Sequence, residues 1–252
     1  MKLTVPSSLD DITLIQYQEY NQEIESRKKL PDAEEYLKIK KIEIFCKLSR
    51  EQVLNLEYES VENISKILDG ILESQPELVQ KFTINGVKFG WLPELDKMTY
   101  GELLDLNGNI SEWSNMHIAM GVLYRPIKQE IKNGMYNIER YEGDKYHKDL
   151  RQMPLSAVIG SMVFFLEFRN GLAGIYYQVF GDGGGDFSEP TQFDLNWNWY
   201  STIDELAGGD ITRYEAVEQL NMHTCLNNLC YKIDKRKKEA EELKKIQRRN
   251  GR

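Results

Sequence analysis

The chain has 252 residues, of which 41% are hydrophobic and 29% charged, with a formal net charge of −8. That length and composition support one large domain or two small ones and exclude a scaffold that depends on disulfides. The charge is uneven: residues 232–252 hold ten basic and four acidic side chains, a formal +6, which leaves −14 on the first 231 residues. An acidic body excludes a nucleic-acid groove running across it, so only the basic tail suits nucleic acid or an acidic protein.

Cys46, Cys225 and Cys230 are odd in number and lack metal-ligand spacing, which predicts reduced, buried thiols in a cytosolic setting. The opening MKLTVPSSLDD turns acidic where a secretory signal needs an apolar run, so no signal is expected. The most apolar stretch, 157–168, is read as a buried helix, too short for a bilayer and closed by Glu167 and Arg169.

Residues 3–6 read as a short edge strand. Residues 9–29 read as a helix opened by Thr13 with Gln16 three residues on, the spacing of a capping box. Pro31 and Asp32 end it, and 34–47 forms a second helix with Tyr36, Leu37, Ile39, Ile42, Ile44 and Phe45 on its apolar side. Ser49 and Gln52 cap a short helix. Val61, Ile64, Ile67, Leu68, Ile71 and Leu72 recur at helical spacing over 61–72.

Two hairpins are expected near 81–91 and 127–141, turning at Asn85-Gly86 and Asn133-Gly134, because both turn positions want positive φ. Between them, Thr99 and Glu102 box a short helix through residue 106. A second helix, starting at Asn109 or Ser111, carries Trp113, Met116, His117, Met120, Val122 and Leu123 up to Arg125-Pro126. Residues 142–153 read as a charged helix, and Pro154 opens an apolar one from 155 to 168, extending toward 180.

Residues 181–196, GDGGGDFSEPTQFDLN, read as a Gly/acid-rich linker. Beyond it, 197–206 is a helix ending at Gly208-Gly209, 210–219 a second with Thr212 and Glu215 as its box, and 222–249 a long third. The last loses its apolar period except for Leu243 and Ile246. The expected organisation is therefore a mainly α (α+β) chain: a helical, bundle-like body over 1–180 with two short hairpins, a linker over 181–196 and a helical unit over 197–252 with a basic C-terminal helix.

No catalytic motif appears: there is no GxSxG, HExxH or CxxC, and GDGGGD lacks the GKS/GKT of a phosphate loop. No enzyme, cofactor, catalytic or metal residue is therefore expected. His117 reads as a satisfied boundary histidine. Glu142, Asp144, His147 and Asp149 form an acidic/His cluster that carries the alternative, a metal-dependent accessory protein. The basic tail carries the nucleic-acid alternative. Trp197, Trp199 and Tyr200 serve either as core anchors or, with Lys235, Arg236, Lys237, Lys238, Lys244, Lys245, Arg248 and Arg249, as a partner-docking surface.

Three segments together, LTVPSSLDDITLIQYQEY, FTINGVKFGWLPELDKMTYGELLDL with MHIAMGVLYRPI, and WNWYSTIDELAGGDITRYEAVEQL with CLNNLCYKIDK, carry a resemblance. The chain resembles a family of structural and assembly proteins of tailed bacteriophages of Bacteroidetes hosts, crAss-like phages among them. Its late segment is similar to those of tail-assembly chaperones. The resemblance implies a late, non-enzymatic protein of the bacterial host cytoplasm or the virion, without membrane contact. It implies work through contacts with tail, portal or internal phage proteins, or with itself, as a minor structural or cargo protein or as a tail-assembly chaperone. It implies no catalytic residues.

Overall fold

A computed structural model describes residues 3–180 and 192–250. The chain is mainly helical with a small antiparallel sheet. It divides into two compact units, one of Met1–Pro93 and Leu106–Phe165, the other of Glu94–Asp105 and Leu166–Arg252.

The first unit begins without the expected edge strand, since residues 3–7 pair with no neighbour as a strand. Helix α1 (Leu14–Arg27) starts where the capping box places it, with Thr13 N–H donating to Gln16 Oε1 at 3.1 Å. Helices α2 (Ala33–Cys46), α3 (Arg50–Leu54) and α4 (Tyr58–Leu72) follow, α3 under the Ser49/Gln52 box. Their apolar faces bury Ile42, Phe45, Val53, Ile64 and Leu68. Hydrophobic burial of this kind contributes roughly 1.5–3 kcal/mol per large side chain.

Both Asn-Gly turns form, with φ of 50° and 81° at Asn85 and Gly86 and of 63° and 78° at Asn133 and Gly134. Strands β1 (Lys81–Ile84) and β2 (Val87–Trp91) make the first hairpin, β3 (Tyr124–Glu130) and β4 (Tyr136–Ile138) the second. The two hairpins join into one sheet of order β1-β2-β3-β4, through the pairs Phe89–Pro126, Gly90–Arg125 and Trp91–Tyr124. Pro126 stops helix α6 (Met116–Leu123) by denying Arg125 a helical conformation. The extended backbone that results is already the start of β3. Gly90 is covered by Tyr136: a Cβ there would sit 2.4 Å from the ring, whose hydroxyl donates to the Trp91 carbonyl at 2.9 Å. Tyr124 is buried beneath, ring-packed on Phe82 and Trp91 at 4.9 and 5.3 Å, and its hydroxyl donates to the Val79 carbonyl at 2.7 Å.

Residues 142–153 do not form one helix. A 3-10 turn over Gly143–Tyr146 and the four-residue helix α7 (His147–Leu150) stand there instead: Gly143 opens the turn at a φ of 62°, and Tyr146, at φ −115° and ψ 6°, separates it from α7. Pro154 precedes helix α8 (Leu155–Ile175), which is 21 residues long. By length and composition it could cross a bilayer, a criterion that core helices also meet. One face is buried through Leu155, Ala157, Val158 and Phe165, but Val163, Phe164, Leu166 and Ile175 are exposed, so the reading of a wholly buried helix is corrected. A short seam holds the start of α8 to the start of α1. Leu14 and Ile15 N–H donate to the carbonyls of Met153 and Arg151 at 2.9 and 2.8 Å, and Leu155 N–H donates to Ile12 at 2.8 Å.

In the second unit, helix α5 (Tyr100–Asn109) begins under the Thr99/Glu102 box, with Thr99 N–H to Glu102 Oε2 at 2.9 Å, before its later residues pass to the first unit. The unit also holds α9 (Tyr177–Phe180), α10 (Gln192–Ala207), α11 (Tyr214–Glu218) and α12 (Met222–Asn250). The glycine-rich part of the expected linker, 181–191, lies outside the described residues. Residues 192–196 are the first turn of α10 rather than linker, since no glycine or proline occurs between Pro190 and Gly208. The Thr212/Glu215 box does not form. Asp210 caps the turn instead, accepting from Thr212 N–H at 3.1 Å.

Two glycine substitutions test this packing. An added Cβ at Gly160 of α8 would lie 2.4 Å from the Glu77 carbonyl oxygen, and backbone cannot swing aside. Gly160→Ala is expected to destabilise by about 1–3 kcal/mol. Gly70→Ala in α4, where nothing lies within 4 Å, is expected to stabilise by about 0.5–1 kcal/mol. Urea unfolding of the two variants beside the parent chain checks both signs.

Candidate functional site: the C-terminal helix and its base

The base of α12 is assembled from backbone. Tyr100 N–H donates to the Leu220 carbonyl at 2.8 Å and Met222 N–H to Met98 at 3.1 Å, a two-residue antiparallel seam around the Thr99–Asn221 bridge. Asn221 opens α12: its Oδ1 accepts from His223 N–H at 2.9 Å while its Nδ2 donates to the Asp96 carbonyl at 2.8 Å. Met222, Cys225, Leu226 and Leu229 are buried, as is Tyr100, whose hydroxyl is 2.6 Å from Thr202 Oγ1. Burial pushes the Tyr100 phenol up to about 12 and the Cys225 thiol up to about 11.

Beside this base, Tyr176 Oη is 2.8 Å from His223 Nδ1, and His223 Nε2 is 3.1 Å from Asp96 Oδ1. Sequence reading missed this relay, since its three residues are far apart in the chain and carry no spacing. Its phenol is not activated: burial, then the Cys230 charge, raises Tyr176 above the usual range. The Cys230 thiol is raised by burial and then by Asp234.

The candidate docking aromatics divide. Trp199 is half-buried, with its ring 5.9 Å from Phe180. Trp197 and Tyr200 are each 48% exposed, with rings 5.5 Å apart, and Tyr200 also meets Tyr214 at 5.6 Å. The Tyr214 hydroxyl donates to Asp204 Oδ1 at 2.6 Å, so the aromatic pair rests on the α10–α11 corner.

The basic side chains lie on α12, which at about 1.5 Å per residue extends roughly 43 Å. Lys232 donates to the Glu205 carbonyl, and Arg236 Nη2 reaches Glu205 Oε1 at 2.5 Å, which ties the helix to α10. From Asp234 to Arg249 every residue is exposed, including Leu243 and Ile246 at 59% and 52%. Lys235 and Lys238 face Glu239 and Glu242 one turn on, each at 3.9 Å. Among the described residues Lys237, Lys244, Lys245, Arg248 and Arg249 have no ion-pair partner.

Among the described residues, the members of the acidic/His alternative do not converge. Glu142 pairs with Lys145 at 2.9 Å, which also faces Glu139 at 3.3 Å. His147 sits against Gly121, and Asp149 lies on the same short helix. Among the described residues no three His, Cys, Asp or Glu side chains come within reach of one metal ion. His117 is a satisfied boundary histidine, with Nδ1 3.3 Å from Gln18 Nε2, and burial, then Arg151 and His147, lowers its pKa. Gln18 itself is a buried hub: it donates to the Trp113 carbonyl at 2.7 Å and accepts from Arg151 Nε at 3.1 Å. An open groove of about 390 Å³ beside it is lined by Glu19, Gln22, Glu25, Trp113 and Arg151 among others.

No family model matches the chain, and no curated protein or solved structure is significantly similar to it.

One carboxylate in the second unit is held against its preference. Burial, then the charges of Asp105 and Glu215, raises the Glu218 pKa. An acid with a raised folded pKa binds its proton more tightly when folded, so stability falls as pH rises through that value. Glu218→Gln is therefore expected to raise the melting temperature at pH 7. The gain should vanish below the ordinary glutamate pKa of about 4.3, where the parent residue is protonated as well. Thermal melts at pH 7 and at about pH 3.5 read both.

Proposed function

We infer that this chain is a non-enzymatic protein of a tailed bacteriophage that acts through protein–protein contacts in virion or tail morphogenesis. It works in the bacterial host cytoplasm, either as a minor virion structural or cargo protein or as a tail-assembly chaperone. The observation that carries the reading is the C-terminal part of α12, about four turns of helix exposed on all sides and bearing unpaired basic side chains. Isolated helix of that length is marginal in water, and gains its stability from something packed against it. The exposed Trp197–Tyr200 pair supports the reading too, because Trp and Tyr dominate contact surfaces between proteins. The resemblance of the opening, middle and late segments to phage assembly proteins supplies the biological setting.

Quantitative mass spectrometry of purified virions against infected-cell lysate tests it. A fixed ratio to the portal protein makes this a structural or cargo protein. Presence in the lysate alone, bound to a tail component, makes it a chaperone. Presence in neither a particle nor a complex with any phage protein defeats the reading.

A further inference from the structure

The amide of Gln18 has its orientation settled at both ends. The side chain is buried, its Nε2 donates to the Trp113 carbonyl at 2.7 Å and to the Ser114 carbonyl at 3.2 Å, and its Oε1 accepts from Arg151 Nε at 3.1 Å. Turned over, the amide would set its oxygen against two carbonyls and its nitrogen against a guanidinium, so only one orientation bonds. In that orientation Nε2 also lies 3.3 Å from His117 Nδ1. An amide nitrogen only donates, so Nδ1 must accept. The imidazole is therefore neutral, with its proton on its own Nε2.

The Ser114 carbonyl is contested. It serves Gln18 while the ring is neutral, and it is also the acceptor that favours the charged ring. The other surroundings oppose that charge: burial, then Arg151, then His147 lower the His117 pKa, and together they outweigh the carbonyl. The His147 ring stands edge-on to His117, with centroids 6.0 Å apart. On the α1 side, Tyr17 packs on Trp113 at 4.3 Å, and burial raises its phenol so that it carries no charge near neutrality. Glu19, Glu25 and Glu112 line the open groove beside Gln18. Helix α6 has no other titratable side chain than His117.

We propose that His117 is an acid-sensitive latch between α1 and residues 113–117: a proton on Nδ1 turns the ring from acceptor to donor, takes the Ser114 carbonyl from Gln18 and loosens α1. The latch lies within the first unit and stands apart from the function proposed above. A histidine whose folded pKa lies below its ordinary value of about 6.5 holds such a contact at full strength above that pH and loses it as pH falls to the folded value. Protonation also sets a new cation beside Arg151, which itself holds the far end of the Gln18 amide.

The test is hydrogen exchange of the full chain, read by mass spectrometry over a series from about pH 7.5 to about pH 5, which brackets the ordinary histidine pKa, with each point corrected for the intrinsic rate. In the parent chain, residues 14–27 and 113–117 are expected to lose protection toward the acid end, while the hairpin over 81–91 keeps it. In His117→Gln the protection of 14–27 is expected to stay constant across the series. In His147→Gln the loss should remain and begin at higher pH, because a ring that opposes the charge is gone. Imidazole nitrogen NMR of the parent at the upper pH gives an independent reading: His117 is expected to carry its proton on Nε2, with Nδ1 bare.

Protection of 14–27 that does not change with pH overturns the proposal, as does a loss spread over the whole first unit or one that survives His117→Gln. A neutral His117 protonated on Nδ1 overturns it as well, since the contact with Gln18 would then set donor against donor. Disappearance of the response in His147→Gln makes His147 the titrating group and defeats the latch. Should His117→Gln fail to fold, the tautomer and the His147→Gln series still decide.

Discussion

A buried backbone amide or carbonyl without a partner costs roughly as much as a lost hydrogen bond, and this chain brings irregular segments into its interior in both units. It answers with two short antiparallel seams between residues far apart in sequence. In the first unit, residues 12–15 exchange hydrogen bonds with 151–155, which sets the start of α1 beside the start of α8. In the second, 98–100 exchange them with 220–222, which sets the start of α5 beside the start of α12. Neither seam is long enough to be stable alone, and each is held by what lies around it: Ile12, Leu14 and Leu155 in one, Met98, Tyr100 and Met222 in the other, all fully buried. The capping boxes at Thr13 and Thr99 sit at the seams themselves, so each seam also serves as a helix start.

Through its seam the second unit joins two stretches separated by more than a hundred residues. The division of the chain therefore does not follow chain order, and residues 94–105 belong with the C-terminal helices. The same seam fixes the base of α12 while its other end stays bare. Burial stops at the first half of the helix, and beyond Ile233 the side chains meet no core. A helix anchored at one end and charged at the other is suited to contact with another protein, and that physical asymmetry underlies the functional reading.

Polar groups inside the first unit follow the rule that governs the seams. Gln18 uses both ends of its amide, toward Trp113 and Arg151, and Arg125 in β3 donates from Nε and Nη2 to the Val122 carbonyl, both at 3.1 Å. Lys41, almost fully buried, reaches Asp69 at 2.5 Å. Buried charge of this sort is tolerated only when paired. The Gln18 and Lys41 contacts link elements distant in sequence, while Arg125 bonds back to the helix that precedes its strand.

Local chemistry by itself determined much of this protein. The Asn-Gly pairs at 85–86 and 133–134 admit positive φ and so dictate two hairpins. The boxes at Thr13, Ser49 and Thr99 dictate three helix starts, and apolar spacing dictates α2, α4 and the buried part of α12. Those signals act over a few residues and survive any tertiary setting. The fusion of both hairpins into one sheet was not legible, because Pro126 carries the same local meaning whether it ends a helix or enters a strand; the neighbouring β2 decided which. Residues 142–153 showed helical polarity, yet Tyr146, at φ −115° and ψ 6°, divides them into a turn and a four-residue helix. Residues 192–196 were read with the glycines before them, although no breaker separates them from α10. The exposure of one face of α8, the Asp96–His223–Tyr176 relay and the carboxylate corner at Asp105, Glu215 and Glu218 were decided only by tertiary structure. Each depends on which distant segments meet, and that follows from burial and from satisfying the backbone across the whole chain, which no local run of residues encodes.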